Sequence, residues 1–153
     1  MISTEIKTPV KTMKVEMNRV DDAFHFEAFG GDKVGVHIDA AVAIGGSNRG
    51  TRPMELILMG LGSCAVIDVI LILKKMKQQV DDIRIVVEGD RVEGATPAPF
   101  VGLRLRFILR GGNLVQKKVE QAVRLSMEKY CSVSVMLEKS ATIDWVVEIE
   151  EGV

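Results

Sequence analysis

The sequence predicts an α+β fold, and three observations carry that expectation. A long apolar stretch from Pro53 to Lys77 has the composition of a buried helix. The segments on either side of it alternate apolar and polar residues with the period of half-buried strands. Strands, a helix, two strands, a helix and a last strand follow one another without the strict βαβ alternation of a doubly wound sheet. At 153 residues, 47% of them hydrophobic, the chain is long enough to bury a core without disulfides or metals, and residues 1–153 are expected to form one domain.

Taken in order, residues 11–40 read as two or three short strands. Phe24, Phe26 and Ala28 alternate with His25 and Glu27, and Val34, Val36 and Ile38 alternate with Gly35 and His37. Asp21-Asp22 and Gly30-Gly31-Asp32 supply the turns. The segment from Gly45 to Arg52 is a loop by composition, with neither the glycine spacing of a dinucleotide fingerprint nor a Gly-Lys-Ser/Thr ending. Pro53 suits a first helical turn and Thr51 is the expected cap. Gly60 and Gly62 inside the helix cost about 1 kcal/mol each relative to alanine, which implies a close approach by backbone or ligand. Ile83 to Val92 and Val101 to Arg110 read as strands, the second with Leu103, Leu105, Phe107 and Leu109 alternating against arginines. After Gly111-Gly112-Asn113 comes a second helix, whose stripe of Val115, Val119, Ala122, Ser126 and Tyr130 leads on to Cys131. Ser132 to Lys139 predicts another helical segment, and Ile143, Trp145, Val147 and Ile149 a closing half-buried strand.

Charge and hydropathy exclude some partners. The 20 basic and 21 acidic residues nearly cancel, and no run of either sign would attract phosphates, so no nucleic acid is expected. Leu56 to Leu73 is interrupted by Asp68, and its longest uncharged run, Leu56 to Ile67, falls short of the roughly 18 to 20 residues of a membrane span. A place in a core or an obligate dimer interface is expected instead, with no membrane. Two cysteines are too few for a secreted disulfide framework, and the first residues lack the apolar run of a signal peptide, so the expected location is cytoplasmic.

In a reducing compartment a disulfide is more often transient and catalytic than structural, which makes Cys64 and Cys131 a candidate redox pair. A reactive thiol needs a cation or N–H donors nearby, and Arg19, Arg49 and Arg52 are the candidate cations. Glu55, in the first helical turn, is favoured there by the helix dipole and would also suit a bidentate hold on an arginine guanidinium. Asp68, four residues after Cys64, would raise a neighbouring thiol pKa and is read as structural. Zinc would need His25 and His37 beside the cysteines, but no ligand spacing supports it and both histidines are expected on solvated strand positions; no metal or cofactor is expected. No hydrolase motif is present.

The run from Arg52 to Val69, with its Pro-x-Glu-Leu start eleven residues before Cys64, and the later Lys129-Tyr130-Cys131-Ser132-Val133 resemble the OsmC/Ohr family, as does the order of elements over nearly the whole chain. The resemblance implies an OsmC-like fold of antiparallel sheets around long buried central helices, built as an intertwined homodimer. It implies a thiol peroxidase of oxidative or osmotic stress defence, reducing organic hydroperoxides. Cys64 would be the peroxidatic nucleophile and Cys131 the resolving thiol, with a dithiol reductant reopening the disulfide. Glu55 and Arg19 would complete the site. Two departures resemble the OsmC-like branch rather than the hydroperoxide-resistance branch: Met54 separates the proline from Glu55, and Asn18-Arg19-Val20-Asp21-Asp22 lacks glycines. The alternative is a non-catalytic module holding an acyl chain or other apolar ligand.

Overall fold

The computed structural model describes residues 8–151. They fall into two compact units that divide between Glu55 and Leu56.

The first unit contains a three-stranded antiparallel sheet of β1 (Glu16–Arg19), β2 (Phe26–Phe29) and β3 (Gly35–Ile38), in that order. The turn before β2 corrects the expected alternation. The Asp21 side chain accepts the N–H groups of Ala23 and His25, and the His25 carbonyl accepts the N–H of Val20, so strand geometry begins only at Phe26. Phe24 is therefore exposed, and His25, expected in solvent, is buried with its Nε2 at 2.9 Å from Nδ1 of His37. One ring donates this bond and the other accepts it.

The loop after β3 wraps around the buried carboxylate of Asp39, which accepts the N–H groups of Ala40, Ser47 and Arg49 at 2.7, 3.1 and 3.0 Å. The Arg49 N–H lowers the Asp39 pKa most, burial opposes it, and the other N–H bonds and the field of His25 add to the lowering. The turn is so tight that a Cβ on Gly46 would lie 1.9 Å from the Ala40 carbonyl oxygen. Thr51 is not a helix cap. Its backbone bridges the end of β3, donating to His37 and accepting from Asp39, so its side chain is turned inward. Glu55 supplies the cap instead, reaching back to the Arg52 N–H at 3.1 Å as the carboxylate half of a capping box.

Helix α1 spans Pro53–Lys75. It stops two residues before the expected Lys77 because Lys77 itself takes φ 56°, with Gln78 N–H bonded to the Leu73 carbonyl and Lys77 N–H to that of Lys74. This is a Schellman ending with lysine in the left-handed position. Along α1, Leu61, Gly62, Ala65, Val69 and Leu73 are buried, whereas Ile57, Met59, Ile67, Ile70 and Leu71 are exposed. By length and composition alone α1 could cross a membrane.

In the second unit β4 (Asp82–Arg91), β5 (Phe100–Arg110) and β6 (Thr142–Glu150) form one sheet. It is mixed: β4 and β5 are antiparallel, β5 and β6 parallel. The parallel pair arises because α2 (Gln116–Leu125), a π-helical turn (Ser126–Tyr130) and α3 (Ser132–Leu137) return the chain to the starting end of β5. Leu103, Leu105, Phe107 and Leu109 are buried on the sheet's inner face. On the other face Arg104 pairs with Asp90, Arg106 with Glu148 and Arg110 with Asp82. Helix α1 packs against β4 at Gly62, where an added Cβ would stand 2.9 Å from Val87 Cγ2 and so meet a stiff side chain. No described residue makes the close approach expected at Gly60, where none of their atoms lies within 4 Å of an added Cβ.

Candidate active site

Cys64 and Cys131 lie 67 positions apart in the sequence, on different elements of the second unit, and both are free thiols. Cys64 is partly exposed in the middle of α1, one residue before the buried Ala65. Cys131 is wholly buried, and its placement depends on the π-helical turn.

Helix α2 buries Val119, Ala122 and Val123. An undisturbed α-helix would carry that face through Ser126 to Tyr130. Instead the Cys131 N–H bonds to the Ser126 carbonyl at 2.7 Å, five residues back, and the widened turn rotates the following residues. Tyr130 is left exposed and Cys131 takes the inward position. At φ −73°, ψ 103° Cys131 then leaves the helix and caps α3, its Sγ accepting the Ser134 N–H at 3.4 Å. The Ser134 hydroxyl closes the corner, donating to the carbonyls of Met127 at 2.6 Å and Cys131 at 3.1 Å. Sequence periodicity places Ser126 only in the apolar stripe and Ser134 only inside the last predicted helical segment. A hydroxyl in the register of an apolar stripe, followed three residues past a cysteine by another serine, is the signal that could have been read.

The two thiols are neighbours. Burial pushes the Cys131 thiol above its ordinary pKa, the Ser134 N–H opposes that rise, and the adjacent Cys64 thiol adds to it. A thiol that is both buried and protonated in this way is slow to react with external reagents.

The remaining expected site residues are found as follows. Glu55 spends a carboxylate oxygen on the Arg52 N–H. The Arg52 guanidinium serves its own loop, donating to the carbonyls of Gly50 and Asp39 and to Asn48 Oδ1. Arg19 ends β1 opposite Phe26 and is exposed. Asp68, one turn beyond Cys64, has a buried Oδ2 without a hydrogen-bond partner among the described residues. It lines a groove of about 380 Å³ together with Leu71, Ile72, Leu125 and Tyr130. Among the described residues no group of three or more His, Cys, Asp or Glu side chains could hold a metal ion.

The family model described as OsmC-like protein matches residues 45–146, two thirds of the chain, including both cysteines. The chain belongs to the OsmC-like family. Protein YhfA of Escherichia coli K12 is 42% identical to this OsmC-like chain over 102 residues, which are 67% of this chain and 75% of YhfA. A hypothetical protein from Aquifex aeolicus VF5 is 34% identical, with a TM-score of 0.76 over 92% of this chain and 99% of its own. The fold alone is shared with an organic hydroperoxide resistance protein OsmC from Legionella pneumophila, 15% identical, TM-score 0.66, over 92% of this chain and 99% of that one. The matched region begins after β3, so Arg19 lies outside it.

Proposed function

We propose that this OsmC-like protein is a cofactor-free thiol peroxidase that reduces organic hydroperoxides through Cys64 and Cys131. The carrying observation is that two free thiols from distant parts of the sequence, the partly exposed Cys64 and the buried Cys131, are neighbours. Family membership supports a stress-related, peroxiredoxin-like role.

In the first step the Cys64 thiolate attacks the terminal oxygen of the hydroperoxide, the O–O bond breaks, and the alkoxide takes a proton and leaves as the alcohol. Cys64 is then a sulfenic acid. In the second step the Cys131 sulfur attacks the Cys64 sulfur and water leaves, forming the disulfide. An external dithiol reductant exchanges with that disulfide and restores both thiols. An active site assembled on an apolar helix favours an alkyl hydroperoxide over hydrogen peroxide. Glu55 and Arg19 stay in this reading as supporting residues of the site. The working unit is a homodimer in the cytoplasm, its exposed α1 face covered by the partner rather than by lipid.

Free-thiol titration tests the reading. The reduced protein is expected to lose both thiols on addition of cumene hydroperoxide, Cys131→Ser to stop at a trappable sulfenic acid, and Cys64→Ser to lose none. Unchanged thiols in the wild type would remove the peroxidase reading.

A further inference from the structure

Ser126 touches the surroundings of both cysteines at once. Its carbonyl accepts the Cys131 N–H at 2.7 Å, and its hydroxyl donates to the carbonyl of Ala65, the residue after Cys64, at 3.0 Å. Its side chain is fully buried, so water does not compete for that second bond. Sixty-one positions separate Ser126 from Ala65, and the bond therefore ties the π-helical turn to α1 at the level of the thiols. The π-helical turn rotates Cys131 inward, and the Ser126 hydroxyl joins that turn to α1.

We propose that Ser126 is a positioning residue for the thiol couple, holding the turn in the register at which the Cys131 sulfur meets that of Cys64. The inference rests on the reading of the two cysteines as a redox pair. The chemistry makes the couple sensitive to such a tether. A disulfide requires Cβ atoms roughly 3.5 to 4.5 Å apart and a torsion near 90° about the S–S bond, so a small slip of one element along the other opposes closure. The tether runs from Cys64 through the Ala65 carbonyl, the Ser126 hydroxyl and the Ser126 carbonyl to the Cys131 amide, which makes it a short path between the two sulfurs.

The experiment is a redox titration of the full-length protein against reduced and oxidised glutathione, with sucrose present to keep weakened variants folded. Closure removes two protons and two electrons from the thiols of Cys64 and Cys131, and one glutathione disulfide takes them up as two glutathione thiols. Ser126→Ala is expected to lower the closure constant by about threefold to tenfold, tenfold being about 30 mV for a two-electron couple. Ser126→Thr keeps the hydroxyl and is expected to stay within about twofold of wild type, on the ground that the tether is one hydrogen bond. A merely structural serine would destabilise the dithiol and disulfide forms alike, leaving the closure constant where it was. An unchanged constant in Ser126→Ala, or a fall in Ser126→Thr as large as in Ser126→Ala, overturns the proposal. A wild type that forms no Cys64–Cys131 disulfide in this titration overturns the redox-pair reading itself, whereas a wild type that closes with an unaltered Ser126→Ala overturns only the positioning role.

Discussion

Cys131 has every polar atom engaged: its amide is held by Ser126, its carbonyl accepts from Ser134 and Val135, and its sulfur accepts the Ser134 N–H. Such a residue is fixed in place rather than free to sample the solvent. Under the proposed peroxidase reading, its raised pKa governs the second chemical step. The protonated thiol is the stable form at neutral pH, and the attacking thiolate grows about tenfold per pH unit until the pKa is passed. Because burial moves that pKa upward, decay of the Cys64 sulfenic acid is expected to accelerate with pH and to be still accelerating at about pH 9, near the ordinary thiol value. Rapid-mixing measurement of sulfenic acid lifetime after one equivalent of hydroperoxide checks this; a rate that is flat from about pH 7 to 9 would contradict a buried, protonated resolver. Asp39 shows the opposite sign. Backbone N–H groups lower its pKa, so its support of the loop around it is present above the normal carboxylate range and is lost as the pH falls through its own lowered value.

At the scale of the element, α1 and the π-helical turn bring the two cysteines together, and Gly62 is where α1 meets the sheet. Alanine at Gly62 would gain about 1 kcal/mol in helix propensity. It would also place a Cβ at 2.9 Å from Val87 Cγ2, an overlap that stiff β-branched packing resolves at about 1 to 3 kcal/mol. The packing cost is expected to win, with Gly62→Ala less stable than wild type by about 1 kcal/mol in urea unfolding. Adding Val87→Ala removes the clashing methyl, so the double variant is expected to lose less than the sum of the two single losses. Full additivity would mean that the two residues do not meet. The π-helical turn, a geometry that is rare and often marks functional sites, turns the buried Cys131 inward.

At the scale of the molecule, the exposed side of α1 needs an explanation. Ile67 is 57% exposed and Leu71 54%, with Met59, Ile70 and Ile57 on the same helix. Large apolar side chains exposed together on one helix mark an interaction site. Under the homodimer reading, Ile67→Glu is expected to convert a dimer to monomers in analytical ultracentrifugation while the far-UV circular dichroism stays that of the wild type. A dimer that survives Ile67→Glu would place the interface elsewhere. The same substitution in a lipid-facing helix would alter detergent dependence rather than subunit number.

Much of the fold was legible in the residues. The strand pairs around Phe26 and Val36, the alternation of β5 and β6, the start of α1 at Pro53 and the cysteine motifs all follow from local chemistry, because period, turn residues and caps act over a few positions. The family resemblance was readable for the same reason, since Pro53, Glu55, Cys64 and Cys131 sit in contiguous motifs. Other features depended on distant atoms. Helix α1 is apolar all round, so its sequence carries no asymmetry to tell the buried side from the exposed one. The burial of His25, the capture of Thr51 by β3 and the parallel entry of β6 each depend on partners that no local pattern names. Which elements form, and that two thiols are available, follows from local residue chemistry. That they are neighbours follows only from the tertiary structure, where a hydrogen bond from the Cys131 N–H five residues back to the Ser126 carbonyl overrides the helical period that would have turned Cys131 away.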